Sequence, residues 1–379
     1  MTTHPTYRLP AEWEPQGFVQ LTWPHEQTDW APYLQEAQAC FLAIASEIIK
    51  REDLLIVAPD TTEVKKQLIH AGILNNQTEV FLGETGALLC KTGAHSILLY
   101  ECPTNDTWSR DHAFITLVNE AGEPLLLDFG FNGWGQKFAS NKDNLINECL
   151  FFDNILANRA TGELPQYSDE RRVILEGGSI ESDGKGTILT TASCLLAPNR
   201  NWFSKEEAET MLRQTLNCQR VLWLEHGYLC GDDTDGHVDT LARLCPNDTI
   251  VYVKHTDDTD IDYDELKAME DELRTFLTPE GKPYKLIPLP MASPLFDDDG
   301  SRLPATYANF LVINGAVLVP TYNQPDNDEL ALKTLSEVFP DRQIIGIDCS
   351  TLVRQHGSLH CVTMNYPKGV IFKDKIQKY

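Results

Sequence analysis

Asp111, Glu176, Asp233, His237, Asp239 and Cys361 stand at the heads of successive apolar stretches, and their types are those of acid–base and nucleophilic chemistry. Four carboxylates beside one imidazole and one thiol repel one another unless a positive charge sits among them. Only Arg110 and Arg243 are basic residues close to these positions in the chain. A metal is one source of that charge, with His237, Asp239, His360 and Cys361 as conceivable zinc ligands. However, adjacent His360 and Cys361 would point to opposite faces of a strand, and the spacing matches no familiar zinc site. A cationic substrate is the other source. A guanidinium is planar and permanently charged, so paired carboxylates can grip its edges and leave its central carbon open from above. A cysteine thiolate is then the natural attacker, and a histidine the proton donor and the activator of water.

The elements that must position these groups follow from the pattern of the chain. Alternation across Gly357–Cys361 predicts a short strand, with Leu359, Cys361 and Thr363 on one side and His360 on the other. Strands are also expected at 16–23, 53–58, 96–100, 113–118, 124–129, 186–191, 221–224, 240–244, 249–254, 284–289, 307–313, 316–320 and 343–347. Helices are expected over 32–50, 61–71 (capped by Thr61 or Thr62), 142–156, 204–216, 262–277 and 328–338. Ser204 followed by Glu207 is a capping box, and Asn314-Gly315 between two apolar runs is a hairpin turn.

The polar heads near Trp108, Glu176, His237, Tyr307 and Cys361 recur at intervals of roughly 55–70 residues, each opening a strand, strand, helix, strand order. Five stacked or radial modules would aim all five heads at one place. An ordinary α/β domain with coincidental spacing fits the pattern equally well. Asp297-Asp298-Asp299-Gly300 lacks the spaced ligands of a calcium loop and reads as a surface turn.

Composition narrows the classes. The chain is 42% hydrophobic and 23% charged, as expected of a globular protein with a sizeable core. A formal charge of −25 argues against nucleic acid and anionic membranes as partners. No run is long enough for a membrane helix, and Met1–Pro5 does not open a secretory signal. Ten cysteines without a C-x-x-C pair read as free thiols in a reducing compartment, so the expected location is cytoplasmic.

The motifs Asn105-Asp106-Thr107-Trp108-Ser109-Arg110-Asp111, Glu176-Gly177-Gly178-Ser179-Ile180-Glu181, Asn199-Arg200-Asn201, Thr234-Asp235-Gly236-His237-Val238-Asp239 and Gly357-Ser358-Leu359-His360-Cys361 occur in that order. In this the chain resembles the agmatine deiminases and the bacterial peptidylarginine-deiminase-like proteins of the guanidine-modifying superfamily. The resemblance spans nearly the whole length. It implies an α/β fold of five blades, the pentein propeller with pseudo-fivefold symmetry, as a single catalytic domain over 1–379. It implies Cys361 as nucleophile, His237 as general acid/base, Asp111 and Asp239 as guanidinium holders, and Glu176 beside His237 or the substrate. Trp108, Asp233 and Asn309 become substrate-binding positions. No metal and no cofactor is expected.

Two departures concern the pocket. His112-Ala113 stands where many agmatine deiminases have Gly-Pro, and His356 and Ser358 where they commonly have Gly and Asn. The sequence thus predicts a hydrolase that converts agmatine to N-carbamoylputrescine and ammonia, with arginine or peptidyl-arginine as alternative substrates. A homodimer is expected for an acidic enzyme of this size. Readings of another class are a silent polyamine-binding protein on the same fold and a zinc hydrolase. Arg200 and an Asp106–Arg110 ion pair are assigned to structure rather than chemistry, and His360, on the other face of its strand, is left out of the mechanism.

Overall fold

The computed structural model describes residues 6–75, 80–82 and 86–373. Met1–Pro5, on which the expectation of no secretory signal rests, lies outside them. The fold is mixed α/β and contains five like units. In each, a middle strand pairs antiparallel with the strand before it and parallel with the strand after it. The units are Thr363–Pro367, Gln16–Thr22 and Asp53–Ala58; Ile115–Asn119, Pro124–Gly130 and Gln166–Ile174; Ile180–Ser182, Thr187–Thr191 and Arg220–Leu224; Ala242–Cys245, Thr249–Lys254 and Lys285–Pro290; and Leu311–Ile313, Ala316–Thr321 and Gln343–Asp348. The first unit draws its opening strand from the far end of the chain and is extended by three further strands to six.

A parallel partner needs a crossover, and four units place a helix of more than ten residues in it: Leu34–Ile48, Lys205–Thr215, Tyr263–Leu273 and Pro325–Val338. Each is amphipathic for a simple reason of spacing. Leu34–Ile48 buries Ala37, Cys40, Phe41, Ile44, Ala45 and Ile48, a stripe at helical intervals. Lys205–Thr215 starts at Ser204 with the expected capping box. Middle strands such as Thr187–Thr191 are buried along their whole length, which favours β-branched and aliphatic residues. The Asn314-Gly315 turn closes as expected, with Ile313 opposite Ala316 and Gly315 at φ 73°.

Several boundaries differ from the sequence pattern. Asp60, not Thr61 or Thr62, caps Thr61–His70, because its carboxylate accepts from Thr62 and Glu63 N–H. The expected helix over 142–156 is a 3-10 turn Asp143–Leu145 and the short helix Ile146–Phe152, followed by strand Leu156–Asn158 paired with Val370–Phe372. Gln166–Ile174 is a strand that the sequence pattern does not signal; its run of charges is half exposed and hides its pairing with Pro124–Gly130.

The most consequential difference concerns the heads. Gly357–Cys361 is not a strand; a 3-10 turn Leu352–Gln355 and a left-handed His356 at φ 63° precede it, and the strand begins at Thr363. The other heads behave alike. Ser109–His112, Gly177–Ser179 and Val238–Thr240 are single helical turns ahead of their strands, and 307–310 is an irregular lead into Leu311–Ile313. Turns project several polar side chains in one direction, whereas a strand alternates them. Among the described residues, no helix is long and apolar enough to cross a membrane.

Candidate active site

The Asp111 turn and the His237–Asp239 turn close on Gly178 of a third, and the Cys361 turn and the lead at 307–310 join them through Asp239. A β-carbon on Gly178 would lie 2.7 Å from His237 Nδ1, 2.9 Å from Asp111 Oδ1 and 3.1 Å from Asp239 Oδ2. A glycine is therefore needed by space, and its N–H donates to Asp111 Oδ1 at 3.0 Å. Gly177 has the same origin: a β-carbon there would strike the Arg110 carbonyl at 2.2 Å. The Arg110 N–H donates to the Cys361 carbonyl at 3.1 Å, which ties the Asp111 turn to the Cys361 turn.

Cys361 is buried, and its sulfur meets Asn309 Nδ2 at 3.2 Å and Asp239 Oδ2 at 3.8 Å. The amide orientation of Asn309 is fixed by its oxygen, which accepts from the His360 and Cys361 N–H groups at 2.9 and 3.3 Å. These two backbone bonds replace the ladder that a strand would have given 360–361. Burial, followed by Asp239 and Asp111, pushes the thiol well above its ordinary pKa. A cation held between those carboxylates would act in the opposite direction.

Asp111 Oδ2 accepts from Trp134 Nε1 at 2.9 Å. Burial pushes Asp111 up to about 6, although His237 works against the shift. Asp239 Oδ2 accepts from His360 Nδ1 at 2.8 Å, while Oδ1 is buried without a hydrogen-bond partner among the described residues. Burial would raise Asp239, but His360, His237 and Arg243 outweigh it and hold it low. Glu176 is likewise lowered against its burial by His237 and Arg200, whose Nε lies 3.1 Å from Oε2.

His237 is fully buried between two carboxylates, with Nε2 3.5 Å from Glu176 and Nδ1 3.7 Å from Asp111. Neither ring nitrogen makes a hydrogen bond among the described residues. Burial alone would lower its pKa; Asp111, Cys194 and Glu176 raise it well above the ordinary value. The surrounding carboxylates thus favour the charged form of the imidazole.

A cavity of about 210 Å³ leads to Cys361, past Trp108, Trp134, Asp233, Arg354 and His356. Trp108 lies so close to Gly357 that a β-carbon there would sit 2.2 Å from its ring. Its Nε1 donates to Asp106 at 3.0 Å. Asp233 is half-buried and raised by burial, with His356 the strongest opposing influence. His356 Nδ1 lies 2.7 Å from the Gly231 carbonyl. Arg354 stacks on Tyr33 and pairs with Asp297 and Asp298 of the acidic turn.

The sequence therefore named Cys361, His237, Asp111, Asp239, Glu176 and Asn309, and these meet in one place; Trp108 and Asp233 line the approach. The expected Asp106–Arg110 ion pair is replaced by other partners. Asp106 accepts from Trp30 and Trp108, whereas Arg110 donates to Asn365 at 2.6 Å. Sequence reasoning missed Trp134 and Gly178 and underrated Arg200 and His360. Arg200 is ion-paired with Glu176 and Asp235, so it holds a loop and also neutralises the site. The signal for a buried cation was the excess of carboxylates itself.

The four residues weighed as a zinc set do not form one donor group among the described residues. Two other trios do: Glu176, Cys194 and His237, and Glu12, Glu181 and His360. Each already holds a guanidinium, Arg200 in the first and Arg243 in the second, so its charge is balanced by the chain's own residues.

Against known proteins, residues 8–367 match the family model of the Porphyromonas-type peptidyl-arginine deiminases. The chain is 31% identical over 384 residues to the "Putative agmatine deiminase" of Marinomonas sp. (strain MWYL1), covering 97% of this chain and 96% of that one. The crystal structure of the "Putative Arginine Deiminase from Porphyromonas gingivalis" is similar at 47% identity and a TM-score of 0.84, covering 97% of this chain and 100% of that one. A substrate-bound structure of the C. jejuni agmatine deiminase is similar at 34% identity and a TM-score of 0.81, covering 97% of this chain and 98% of that one.

Proposed function

The chain belongs to the Porphyromonas-type peptidyl-arginine deiminase family, and from that premise we propose that it is a hydrolase of guanidino C–N bonds whose substrate is agmatine. The observation that carries the reading is the gathering of His237, Asp111 and Asp239 around Gly178, with the Cys361 sulfur 3.8 Å from Asp239 Oδ2 and Asp239 Oδ1 without a partner among the described residues. The group has one nucleophile, one charged imidazole and two carboxylates in want of a cation. In this reading the five like units stand as blades of a propeller about the site, in a single domain over 1–379.

The guanidinium lies between Asp111 and Asp239, with Glu176 holding His237 in place. Its charge lowers the thiol pKa, the thiol proton leaves to solvent through the cavity, and the thiolate of Cys361 adds to the central carbon. A C–N bond breaks, the leaving nitrogen takes a proton from His237, and ammonia departs, leaving a covalent thiouronium. Water then loses a proton to His237 and adds to the same carbon, and the C–S bond breaks. The products are N-carbamoylputrescine and the free thiol. Trp108 offers its face to the cation or to the methylene chain. Asp233 suits the ammonium tail, and Asn309 steadies the sulfur. No cofactor is required; the setting is cytoplasmic, and a homodimer is its proposed state.

A second substrate is favoured by one observation. Arg354 and His356 line the same cavity, so a carboxylate tail would also find partners. That supports free arginine or peptidyl-arginine, giving citrulline. The test is ammonia release from agmatine, arginine and an arginyl peptide, with and without chelator, by wild type and Cys361→Ala. Turnover by the alanine variant overturns the mechanism, chelator-sensitive turnover supports a zinc hydrolase, and release from arginine or peptide alone moves the substrate.

A further inference from the structure

His360 sits beside the nucleophile but does not line the cavity that reaches it; it borders a second one instead. Nδ1 is 2.8 Å from Asp239 Oδ2, and Nε2 is 2.6 Å from Glu12 Oε2. The ring is 1% exposed. Each end of this chain is anchored. Glu12 Oε1 accepts from the Val312 N–H at 2.6 Å, which ties it to the strand before the Asn314-Gly315 turn. Arg243 Nη2 reaches both Glu12 and His360, at 2.9 and 3.1 Å, and its Nη1 donates to the Ala308 and Phe310 carbonyls on either side of Asn309. At the other end, Asp239 has one oxygen held by His360 and one oxygen without a partner among the described residues. Glu12 borders the second cavity too, which holds about 100 Å³.

A carboxylate with a single strong hydrogen bond is fixed in rotation by that bond alone. If His360 released Oδ2, the group could turn, and Oδ2 would keep only its 3.8 Å contact with the Cys361 sulfur. We propose that His360 and Glu12 are positioning residues. They form a carboxylate–imidazole–carboxylate chain, closed from behind by Arg243, that fixes the Asp239 carboxylate beside the Cys361 sulfur and leaves Oδ1 free for the guanidinium. The assignment rests on the reading that Asp239 holds a guanidinium.

Two amide variants separate positioning from mere structure. Asn places its NH₂ near Nδ1 and keeps a donor for Asp239, whereas Gln places it near Nε2 and keeps only the link to Glu12. His360→Gln is expected to raise KM and lower kcat/KM by roughly 10- to 150-fold, the value of one hydrogen bond to a charged group. His360→Asn is expected to recover most of that loss, even where its thermal midpoint is the lower of the two. Glu12→Gln should fall between them. Calorimetric binding of agmatine and arginine in a Cys361→Ala background reads the same order without turnover. If wild type turns over but the two amides are equally impaired, or the losses simply follow the thermal midpoints, positioning is overturned alone. If wild type neither turns over nor, as Cys361→Ala, binds either guanidino compound, the functional reading falls and this inference with it.

Discussion

Front and rear of the centre are built from the same residue types and finished in opposite ways. At the rear, Glu12, Glu181, Arg243 and His360 meet at hydrogen-bond distance, and Arg243 adds two backbone carbonyls and the face of Phe310. At the front, among the described residues, His237 makes no side-chain hydrogen bond and Asp239 leaves one oxygen bare. Cys361 there carries a thiol that burial and two carboxylates keep protonated. Buried ionic groups are tolerated when paired and costly when not. The rear is a finished network that stabilises through its completeness. The front withholds its pairing, and a bound cation would complete it. Incomplete pairing in a protected place is a better sign of chemistry than the residue types alone.

Substitutions can break this contrast. The largest effect is expected at the front: Cys361→Ala should lower ammonia release by about 10⁴-fold or more, with little change in thermal midpoint, checked by a discontinuous ammonia assay and calorimetry. At the rear, Arg243→Met strands two buried carboxylates and should cost roughly 3–5 kcal/mol of stability, read from denaturant midpoints. Equal stability of the Arg243 variant would show that the rear does not brace the fold.

Asp239→Asn sharpens the comparison because Asn can keep an oxygen toward His360 and place its NH₂ at the bare position. Activity should fall by about 10²–10³-fold, as for loss of one electrostatic contact to the reacting group. Folding should hold, and the Cys361 thiol should move down toward its ordinary pKa. The rate of iodoacetamide labelling against pH checks that shift.

The smallest effect is titration. In the proposed reading Asp111 would hold a cation only when ionised, and burial lifts it to about 6. kcat/KM should therefore drop about tenfold per unit as pH falls below that value. Stability runs the other way. A folded-state pKa above the unfolded one means that the native chain binds the proton more tightly, so the Asp111 contribution to stability is present below its unfolded pKa and is lost as pH rises through about 6. Opposite slopes of kcat/KM and stability over that window are the expected signature.

Much of this was legible in the chain. Asn314-Gly315 and the Ser204–Glu207 box fixed their turns because the forces are local. The head residues were legible as types, since too many carboxylates beside one His and one Cys is a chemical statement. Their conformation was not. Cys361 was expected in a strand but sits in a turn, because the bonds that decide it come from Asn309, 51 and 52 residues away. Glu12 and His360 are 348 residues apart, and no periodicity connects them. Gly178 could have been read as a turn former; that it vacates room for three catalytic-type side chains emerges only from the folded chain.

The pairing of Thr363–Pro367 with Gln16–Thr22 bears on when the site comes into being. During synthesis the strand Gln16–Thr22 and Glu12 leave the ribosome long before their partners exist, and four units can take shape meanwhile. Cys361 and His360 arrive with the strand that closes the first unit. The thiol gains its neighbours Asp239 and Asn309, and Asp239 its bond to His360, only when that strand docks. A nascent or truncated chain thus carries Asp111, Glu176, His237 and Asp239 but not Cys361. In the proposed reading, reactivity would be switched on by completion of the fold, in the same step that joins the chain's early and late segments.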